Sequence, residues 1–400
     1  MRRRTVLSLE QALSLSHGTQ RLAHLGFRVI RIEATPDGKG TATPGDPNRY
    51  VGRPCAGPHR AAYFVAPNAG KQAITLDLKQ AQGRQLLLRL VRALEVDVFC
   101  VNTLPMRYRS LGVDYETLSA ARPELIWVGV SAYGPDHPDV PGYDPALQAD
   151  LGIMHLTGPS DGPPQLAGLP LVDLKAGDEV FAQVMLALAE LAETGRGKRV
   201  DISMAQAAAS WHLTTLPLLD LGTPPEELVR TGAEHRAWVP VNVYPTADGW
   251  VYLAIGNNRQ WLAFCAIEGL EKLSTPERAT NEGRRAGREA LHRDIAALLP
   301  ARRTQEWIDL FRTAGLPCAS IRDIEALRAH PAIAPRLLTT RTPDGRAVRL
   351  PPPAVETEAL SAAGRELGFA PDYGADTDAV LAEAGVAEAE RADLRTRGVV

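Results

Sequence analysis

The amino-acid sequence predicts an α/β protein in which a large Rossmann-like domain with a parallel sheet is joined to a smaller α+β domain. Over the first two hundred residues, short β-branched runs alternate with longer segments of helical period, which is the pattern of βαβ units. After Gly222-Thr223-Pro224-Pro225 the pattern changes to an Asp-Gly hairpin and mixed elements. These observations predict two domains in a chain of 400 residues.

The strands of the large domain are predicted where apolar and β-branched residues are densest, at 6–9, 27–33, 73–78, 96–101, 125–130 and 199–203. Helices are predicted where apolar residues recur at helical spacing, at 12–25, 80–94, 115–121, 173–192 and 205–221. Asp173 therefore lies at or just before the N terminus of its helix, and Gly195 and Gly197 mark the end of that helix.

The smaller domain begins with a hairpin predicted at 239–255 around Asp248-Gly249. Further helices are predicted at 260–266, 303–314, 377–384 and 387–395, and the polar stretch 274–293 is interpreted as a solvated helix or loop. The predicted division is 1–204 for the N-terminal part of the large domain, 205–231 for a linker, 232–326 for the small α+β domain, and 327–400 for a return linker with the C-terminal part of the large domain.

Composition excludes several classes of partner. Forty-four basic and 47 acidic residues give a net charge of -3, so no global positive field attracts nucleic acid or an anionic membrane. The four cysteines are far apart and form no CxxC pair, which argues against a zinc knuckle or a disulfide framework and favours a reducing cytoplasm. No segment approaches a membrane span, and the nine histidines lack metal-ligand spacing.

Searches for common catalytic motifs find no GxGxxG after the first strand, no Walker loop, no GxSxG elbow and no HExxH. Nucleotide enzymes of those common types are therefore disfavoured. The chain does contain an ordered series of short segments that extends over nearly its whole length. They are 68–71 (NAGK), 74–79 (ITLDLK), 101–105 (VNTLP), 141–144 (PGYD), 170–177 (PLVDLKAG), 194–198 (TGRGK), 244–249 (YPTADG) and 256–261 (GNNRQW).

In these segments and their order the chain resembles the class III CoA-transferase family, which includes formyl-CoA and carnitine CoA-transferases. The resemblance implies an interlocked dimer, either a homodimer or a heteromer with a paralogous subunit. It also implies a CoA thioester and a carboxylic acid acceptor as substrates, with no metal or redox cofactor. Succinyl-CoA is the donor we expect.

The resemblance assigns the catalytic nucleophile to Asp173, in the Pro-x-x-Asp segment. A carboxylate can attack an acyl-CoA thioester to give a mixed anhydride, and the released thiolate can then form an aspartyl-CoA thioester. The helix N terminus is expected to keep this carboxylate ionised, and backbone N–H groups at Gly177 or near Ala233 are expected to stabilise the oxyanion. The alternative is that Asp173 is an ordinary N-cap residue.

The resemblance also implies a set of residues that bind CoA: Leu76, Asp77, Leu78, Lys79, Asn102, Thr103, Leu104, Arg109, Ser131, Tyr133 and Gly134. Two positions that are basic in the family are Ala34 and Ser110 here. Arg31, Arg107 or Arg109 could bind the CoA phosphates in their place.

Two other functions remain open on the same fold. An acyl-CoA racemase needs a second base, usually a histidine at the position that is Tyr143 here, so this reading is weaker. The chain could also be an accessory CoA-binding subunit of a heteromeric transferase, although the presence of Asp173 argues against that role.

Overall fold

The computed structural model describes residues 3–36 and 43–400, which form two compact units. The first unit comprises the chain up to Gly152 together with Ala167–Gly222 and Arg336–Val400. The second comprises Ile153–Leu166 and Thr223–Pro335. This division differs from the predicted one at 205–222, which was assigned to a linker but belongs to the first unit, and at 153–166, which was assigned to the large domain but belongs to the second unit.

The first unit is built on a six-stranded sheet in which every pairing is parallel. Its strands are β1 Thr5–Leu9, β2 Arg28–Glu33, β3 Gln72–Thr75, β4 Val98–Val101, β5 Ile126–Ser131 and β6 Arg199–Ser203. The strand order is β3-β2-β1-β4-β5-β6, so the direction of progression reverses between β1 and β4. The predicted parallel α/β sheet is confirmed, and open sheets of this kind bind ligands at the carboxyl ends of the strands beside such a reversal.

Two smaller sheets complete the strands of the described residues. In the second unit, β7 Val241–Pro245, β8 Trp250–Ala254 and β9 Cys318–Ser320 form an antiparallel sheet, and β7 and β8 are the predicted hairpin. In the first unit, β10 Leu338–Arg341 pairs with β11 Ala347–Leu350 and β12 Glu366–Leu367. The sequence analysis did not predict these last three strands.

The helices surround the sheets. They are α1 Ser14–His24, α2 Ala62–Asn68, α3 Ala81–Ala93, α4 Tyr108–Leu111, α5 Tyr115–Ala121, α6 Asp144–Asp150, α7 Ile153–Leu156, α8 Leu171–Thr194, α9 Met204–Ala209, α10 Pro217–Asp220, α11 Asn258–Cys265, α12 Asn281–Ala286, α13 Arg288–Leu298, α14 Thr304–Thr313, α15 Ile324–Arg328, α16 Glu358–Ala362, α17 Thr377–Glu383 and α18 Glu388–Thr396. Across residues 3–36 and 43–400, none of the helices has both the length and the apolar character needed to cross a bilayer.

Most predicted helices differ from the structure by one or two residues at an end, and the bounds of two of them differ for an identifiable reason. The first begins at Ser14 rather than at residue 12, because Ala12 has a φ of 57°, in the left-handed region. The helix predicted at 205–221 is divided into α9, a 3-10 turn at Ser210–Thr214 and α10. Pro217 has no N–H to continue a helical ladder, which accounts for the break before α10.

Helices α1 and α8 pack closely through two glycines. A Cβ atom at Gly177 would lie 2.8 Å from the carbonyl oxygen of Ser14 and 3.0 Å from the amide nitrogen of Gly18. A Cβ at Gly18 would lie 2.7 Å from the Cβ of Val180. Because neither glycine has a side chain, the N-terminal part of α8 can lie directly against α1, which follows β1.

Candidate active site

Two adjoining cavities lie at the carboxyl ends of the strands in the first unit. The larger, the Leu76 cavity, has a volume of about 480 Å³ and is lined by residues that end or follow β1 to β4. The smaller, the Asp173 cavity, has a volume of about 220 Å³ and is lined by residues that follow β1, β4, β5 and β6 together with Asp173. Four residues line both cavities: Gln11, Asn102, Thr103 and Arg107.

Asp173 is the third residue of α8 and is half-buried. The first turn of α8 is capped by another aspartate, Asp144, from the start of α6. One carboxylate oxygen of Asp144 accepts hydrogen bonds from the backbone N–H groups of Val172, at 2.7 Å, and Asp173, at 3.1 Å. These N–H groups have no partner within the helix, so Asp144 satisfies donors that would otherwise be unpaired.

Gln148 fixes the orientation of this cap. Its side-chain amide donates to the other carboxylate oxygen of Asp144 at 2.6 Å, and its amide oxygen accepts from the backbone N–H of Ala167 at 3.1 Å. Both Asp144 and Gln148 are buried. The cap is therefore a fixed negative charge directly beside the first turn of α8.

Burial, and to a smaller extent the nearby negative charge of Asp144, together raise the pKa of Asp173 to about 7. We predicted the opposite direction, on the ground that a helix N terminus favours a carboxylate. That prediction was wrong because burial removes the carboxyl group from water, and because the N–H groups of the first turn are bonded to Asp144, whose negative charge also opposes ionisation of Asp173. Near neutral pH, Asp173 is thus divided between its protonated and ionised forms.

Most residues that the resemblance assigned to CoA binding line these cavities. Leu76, Asp77, Leu78 and Lys79 line the Leu76 cavity, Leu104 and Ser131 line the Asp173 cavity, and Asn102 and Thr103 line both. Leu76 and Leu78 also belong to the hydrophobic core of the first unit, so they stabilise the fold as well as line the cavity.

The other three predicted CoA residues lie elsewhere. Arg109 lines a third cavity, of about 560 Å³, together with Asp114, Glu116 and Arg199. The hydroxyl of Tyr133 donates to Asp150 at 2.8 Å, and Gly134 faces the side chain of Ser203. A contact between CoA and these three residues stays a prediction.

The loop after β1 is tied to the loop after β4. The backbone N–H of Gln11 donates to the side-chain oxygen of Asn102 at 3.0 Å, and the side-chain amide of Asn102 donates to the Gln11 carbonyl at 2.8 Å. This reciprocal pair fixes two of the segments that line both cavities. Asn102 thus connects the segments that follow β1 and β4, and it lines the candidate site too.

Neither predicted source of oxyanion donors is supported by the first unit. Gly177 lies inside α8, where its N–H group donates to the carbonyl of Asp173 four residues earlier in a regular helix. Its role is the close approach of α1 described above. Ala233 belongs to the second unit.

A buried network of charges lies beneath the Leu76 cavity, and the sequence analysis did not identify it. The Lys71 ammonium donates to Glu10 at 2.7 Å, Arg31 to Asp46 at 2.7 Å, and Arg49 to Glu33 at 2.5 Å and 2.8 Å. All six side chains are buried, and the three cations balance the three carboxylates. The pairing lowers the pKa of Glu10 and Glu33 against the effect of burial, so both remain ionised.

The network also holds the loop that lines both cavities. The carboxylate of Asp46 accepts a hydrogen bond from the backbone N–H of Ala12 at 3.1 Å while it binds Arg31. Ala12 lies in the left-handed region at φ 57°, which a residue with a side chain adopts only when its surroundings impose it. Asp46 is one of the contacts that impose this conformation.

Comparisons with known proteins agree with this arrangement. Residues 1–377 match the sequence profile of CoA-transferase family III. The chain is 34% identical over 348 residues to an acyl-CoA transferase of Fusarium pseudograminearum, covering 84% of this chain and 74% of that protein. It is 31% identical over 335 residues to a succinate–glutarate CoA-transferase of Agrobacterium fabrum, covering 83% of this chain and 82% of that protein.

Among solved structures, a CaiB/BaiF family protein from Brucella suis has the same fold as this chain. The TM-score is 0.80 at 27% sequence identity, and the match covers 95% of this chain and 98% of that one.

Proposed function

Because the chain belongs to CoA-transferase family III, we propose that it moves CoA from an acyl-CoA donor to a carboxylic acid through covalent intermediates on Asp173. The observation that carries this proposal is the position of Asp173, whose side chain lines a small cavity that shares four residues with a cavity large enough for part of a nucleotide. A carboxylate so placed is within reach of a thioester whose nucleotide end binds in the Leu76 cavity.

The proposed reaction consists of four acyl exchanges. An oxygen of the Asp173 carboxylate attacks the thioester carbonyl. The C–S bond breaks, CoA departs as a thiolate, and Asp173 is then joined to the acyl group in a mixed anhydride. The thiolate attacks the aspartyl carbonyl and releases the donor acid, which gives an aspartyl-CoA thioester. The acceptor carboxylate attacks this thioester, which releases CoA thiolate and forms a second anhydride between Asp173 and the acceptor. CoA thiolate then attacks the acceptor's carbonyl in that anhydride, which forms the new acyl-CoA and regenerates the Asp173 carboxylate. Atoms and charges balance without water, a metal or a redox cofactor.

The raised pKa of Asp173 fits a nucleophile that is desolvated before it reacts. A carboxylate bound to water is a weak nucleophile, and partial burial removes part of its hydration. The same burial lowers the fraction of Asp173 that is ionised at neutral pH. Only the ionised carboxylate attacks the thioester, and its fraction increases as the pH rises through about 7.

For the donor we propose succinyl-CoA or another dicarboxylyl-CoA, and for the acceptor an organic acid. The support is that the 31% identical relative is named for succinate and glutarate. We also propose a homodimer of interlocked chains that works in the cytoplasm, with a heteromer containing a paralogous subunit as the second arrangement.

The proposal is tested by a transfer assay with succinyl-CoA and a panel of carboxylic acids, in which the new acyl-CoA is separated and quantified. Asp173→Asn should lower transfer by at least about a thousandfold, the loss expected when a covalent nucleophile is removed, while CoA still binds. Asp178→Asn is the matched control, because Asp178 lies on the same helix, is about half exposed, and pairs with Arg21 away from both cavities. Normal turnover by Asp173→Asn would exclude the proposed route.

A racemase function has less support. Tyr143, at the position where a racemase would carry a base, lines the Asp173 cavity with a side chain that is 67% exposed. A neutral phenol is a poor base for removing an α-proton at neutral pH.

A further inference from the structure

Arg107 occupies the position where the two cavities meet. It lies in the turn Pro105–Arg107 after β4 and lines both the Leu76 cavity and the Asp173 cavity. The side chain is exposed, and it forms no ion pair with any of the residues that the structure describes. Among the residues that line both cavities, Arg107 is the one with a charged side chain.

The chemical order of CoA matches the order of these cavities. CoA consists of a nucleotide, a 5′-diphosphate bridge, a pantetheine arm and a thiol, in that sequence. If the nucleotide binds in the Leu76 cavity and the thioester reaches Asp173, the diphosphate passes the residues that line both cavities. We propose that Arg107 binds the diphosphate bridge of CoA, an inference that rests on the proposed function.

The other candidate cations are placed less well for this role. Arg31 is fully buried and is bonded to Asp46 in the network beneath the cavity. Arg109 lines a different cavity with two carboxylate residues. Lys79 lines the Leu76 cavity but not the Asp173 cavity, so it is placed for the nucleotide end rather than for the bridge.

The charges around the Leu76 cavity favour a cation for this role. The residues that line it include four acidic ones, Glu10, Glu33, Asp46 and Asp77. The first three are balanced by buried cations, so the network contributes little net attraction for a phosphate. An arginine at the mouth can donate two parallel N–H bonds to phosphate oxygens, which a lysine cannot reproduce.

Isothermal titration calorimetry with CoA and with 3′-dephospho-CoA tests this assignment without requiring turnover. Arg107→Ala should weaken binding of both ligands by about tenfold, because one charge-assisted phosphate contact contributes 1.4 kcal/mol or more, which is a factor of ten. The factor should be the same for both ligands, since both carry the diphosphate. Arg107→Lys should recover only part of the affinity.

Arg92→Ala is the matched control, since Arg92 is an exposed arginine on α3 that lines neither cavity. Unchanged CoA affinity in Arg107→Ala would overturn the inference, as would a larger loss in Arg109→Ala than in Arg107→Ala. A defect that disappears with 3′-dephospho-CoA would assign Arg107 to the 3′-phosphate and would also overturn it. Because these are binding measurements, they can be interpreted even if Asp173 proves not to be a nucleophile.

Discussion

The carboxylate of Asp144 accepts a hydrogen bond from the backbone N–H of Asp173 at 3.1 Å. The two residues are 29 positions apart in the chain, yet one caps the helix on which the other lies. The same carboxylate raises the pKa of the Asp173 side chain. The contact that orders the first turn of α8 thus also adds to the effect of burial on the ionisation of the candidate nucleophile.

Asp144→Asn should move the acid limb of the pH profile to lower pH. Transfer by the unmodified protein should fall as the pH drops below about 7, because Asp173 becomes protonated. Removal of the negative charge at Asp144 lowers the pKa of Asp173, so the ionised form persists to lower pH. The measurement is kcat/KM for the donor against pH, which reports groups of the free enzyme. A limb that stays in place, or moves upward, would show that Asp144 does not set this pKa.

Asp173→Asn should stabilise the protein at high pH and not at low pH. The pKa of Asp173 is raised on folding, so its ionisation destabilises the folded state as the pH rises from about 4 to about 7. The asparagine variant does not titrate. Its free energy of unfolding at pH 8 should exceed that of the unmodified protein by about 2 kcal/mol, allowing for the partial exposure of the side chain.

Urea unfolding at pH 4.5 and pH 8 measures this difference, with Asp178→Asn as the control on the same helix. An equal effect of Asp173→Asn at both pH values would contradict the raised pKa.

Gly177→Ala should destabilise the first unit. The new Cβ would lie 2.7 Å from the His17 ring and 2.8 Å from the Ser14 carbonyl, so α1 and α8 must move apart. Overpacking of this kind costs about 1–3 kcal/mol. Thermal unfolding detects the loss, and Gly168→Ala is the matched control because its Cβ has no atom within 4 Å. Equal stability of the two variants would show that the close approach at Gly177 is not needed.

Lys71→Met should be among the most destabilising single changes in the chain. The Lys71 ammonium donates to Glu10, Thr19, Asn68 and the Ser16 carbonyl, and its removal leaves the Glu10 carboxylate buried without its closest cation. Breaking a buried ion pair in this way costs about 3–5 kcal/mol. The double variant Lys71→Met/Glu10→Gln removes both charges, so it should lose less than the sum of the single variants by about 1–3 kcal/mol in urea unfolding. Strict additivity would indicate that the two charges are not coupled.

Much of the fold could be predicted because hydrophobic periodicity is a local signal. The strands at 6–9, 96–101 and 199–203 and the hairpin around Asp248-Gly249 lie within a few residues of the elements in the structure. The order β3-β2-β1-β4-β5-β6 could not be read from the same pattern, because strand neighbours depend on contacts far apart in the sequence. The small sheet of β10 to β12 was missed because its strands are short and carry polar residues, such as Thr339 and Arg349, in place of the continuous apolar run of β4.

The site was predicted in part for a similar reason. Asp173 and the residues at 76–79 and 102–104 line the two cavities. They could be predicted because each lies in a short sequence segment that resembles the family. The cap by Asp144 depends on how α6 and α8 pack, and no local pattern indicates it. The charge network was missed because the charged residues Arg31 and Glu33 in β2 suggest an exposed face, whereas Asp46 and Arg49, in the connection that follows β2, pair with them and bury them.

The most direct test of the account is to mix the protein with succinyl-CoA and related acyl-CoAs, trap with hydroxylamine, and examine the peptides by mass spectrometry. The account predicts a hydroxamate on the peptide that carries Asp173, present in the unmodified protein and absent in Asp173→Asn. An unmodified Asp173 across the whole panel, in protein that binds CoA, would contradict the covalent route and favour an accessory CoA-binding subunit.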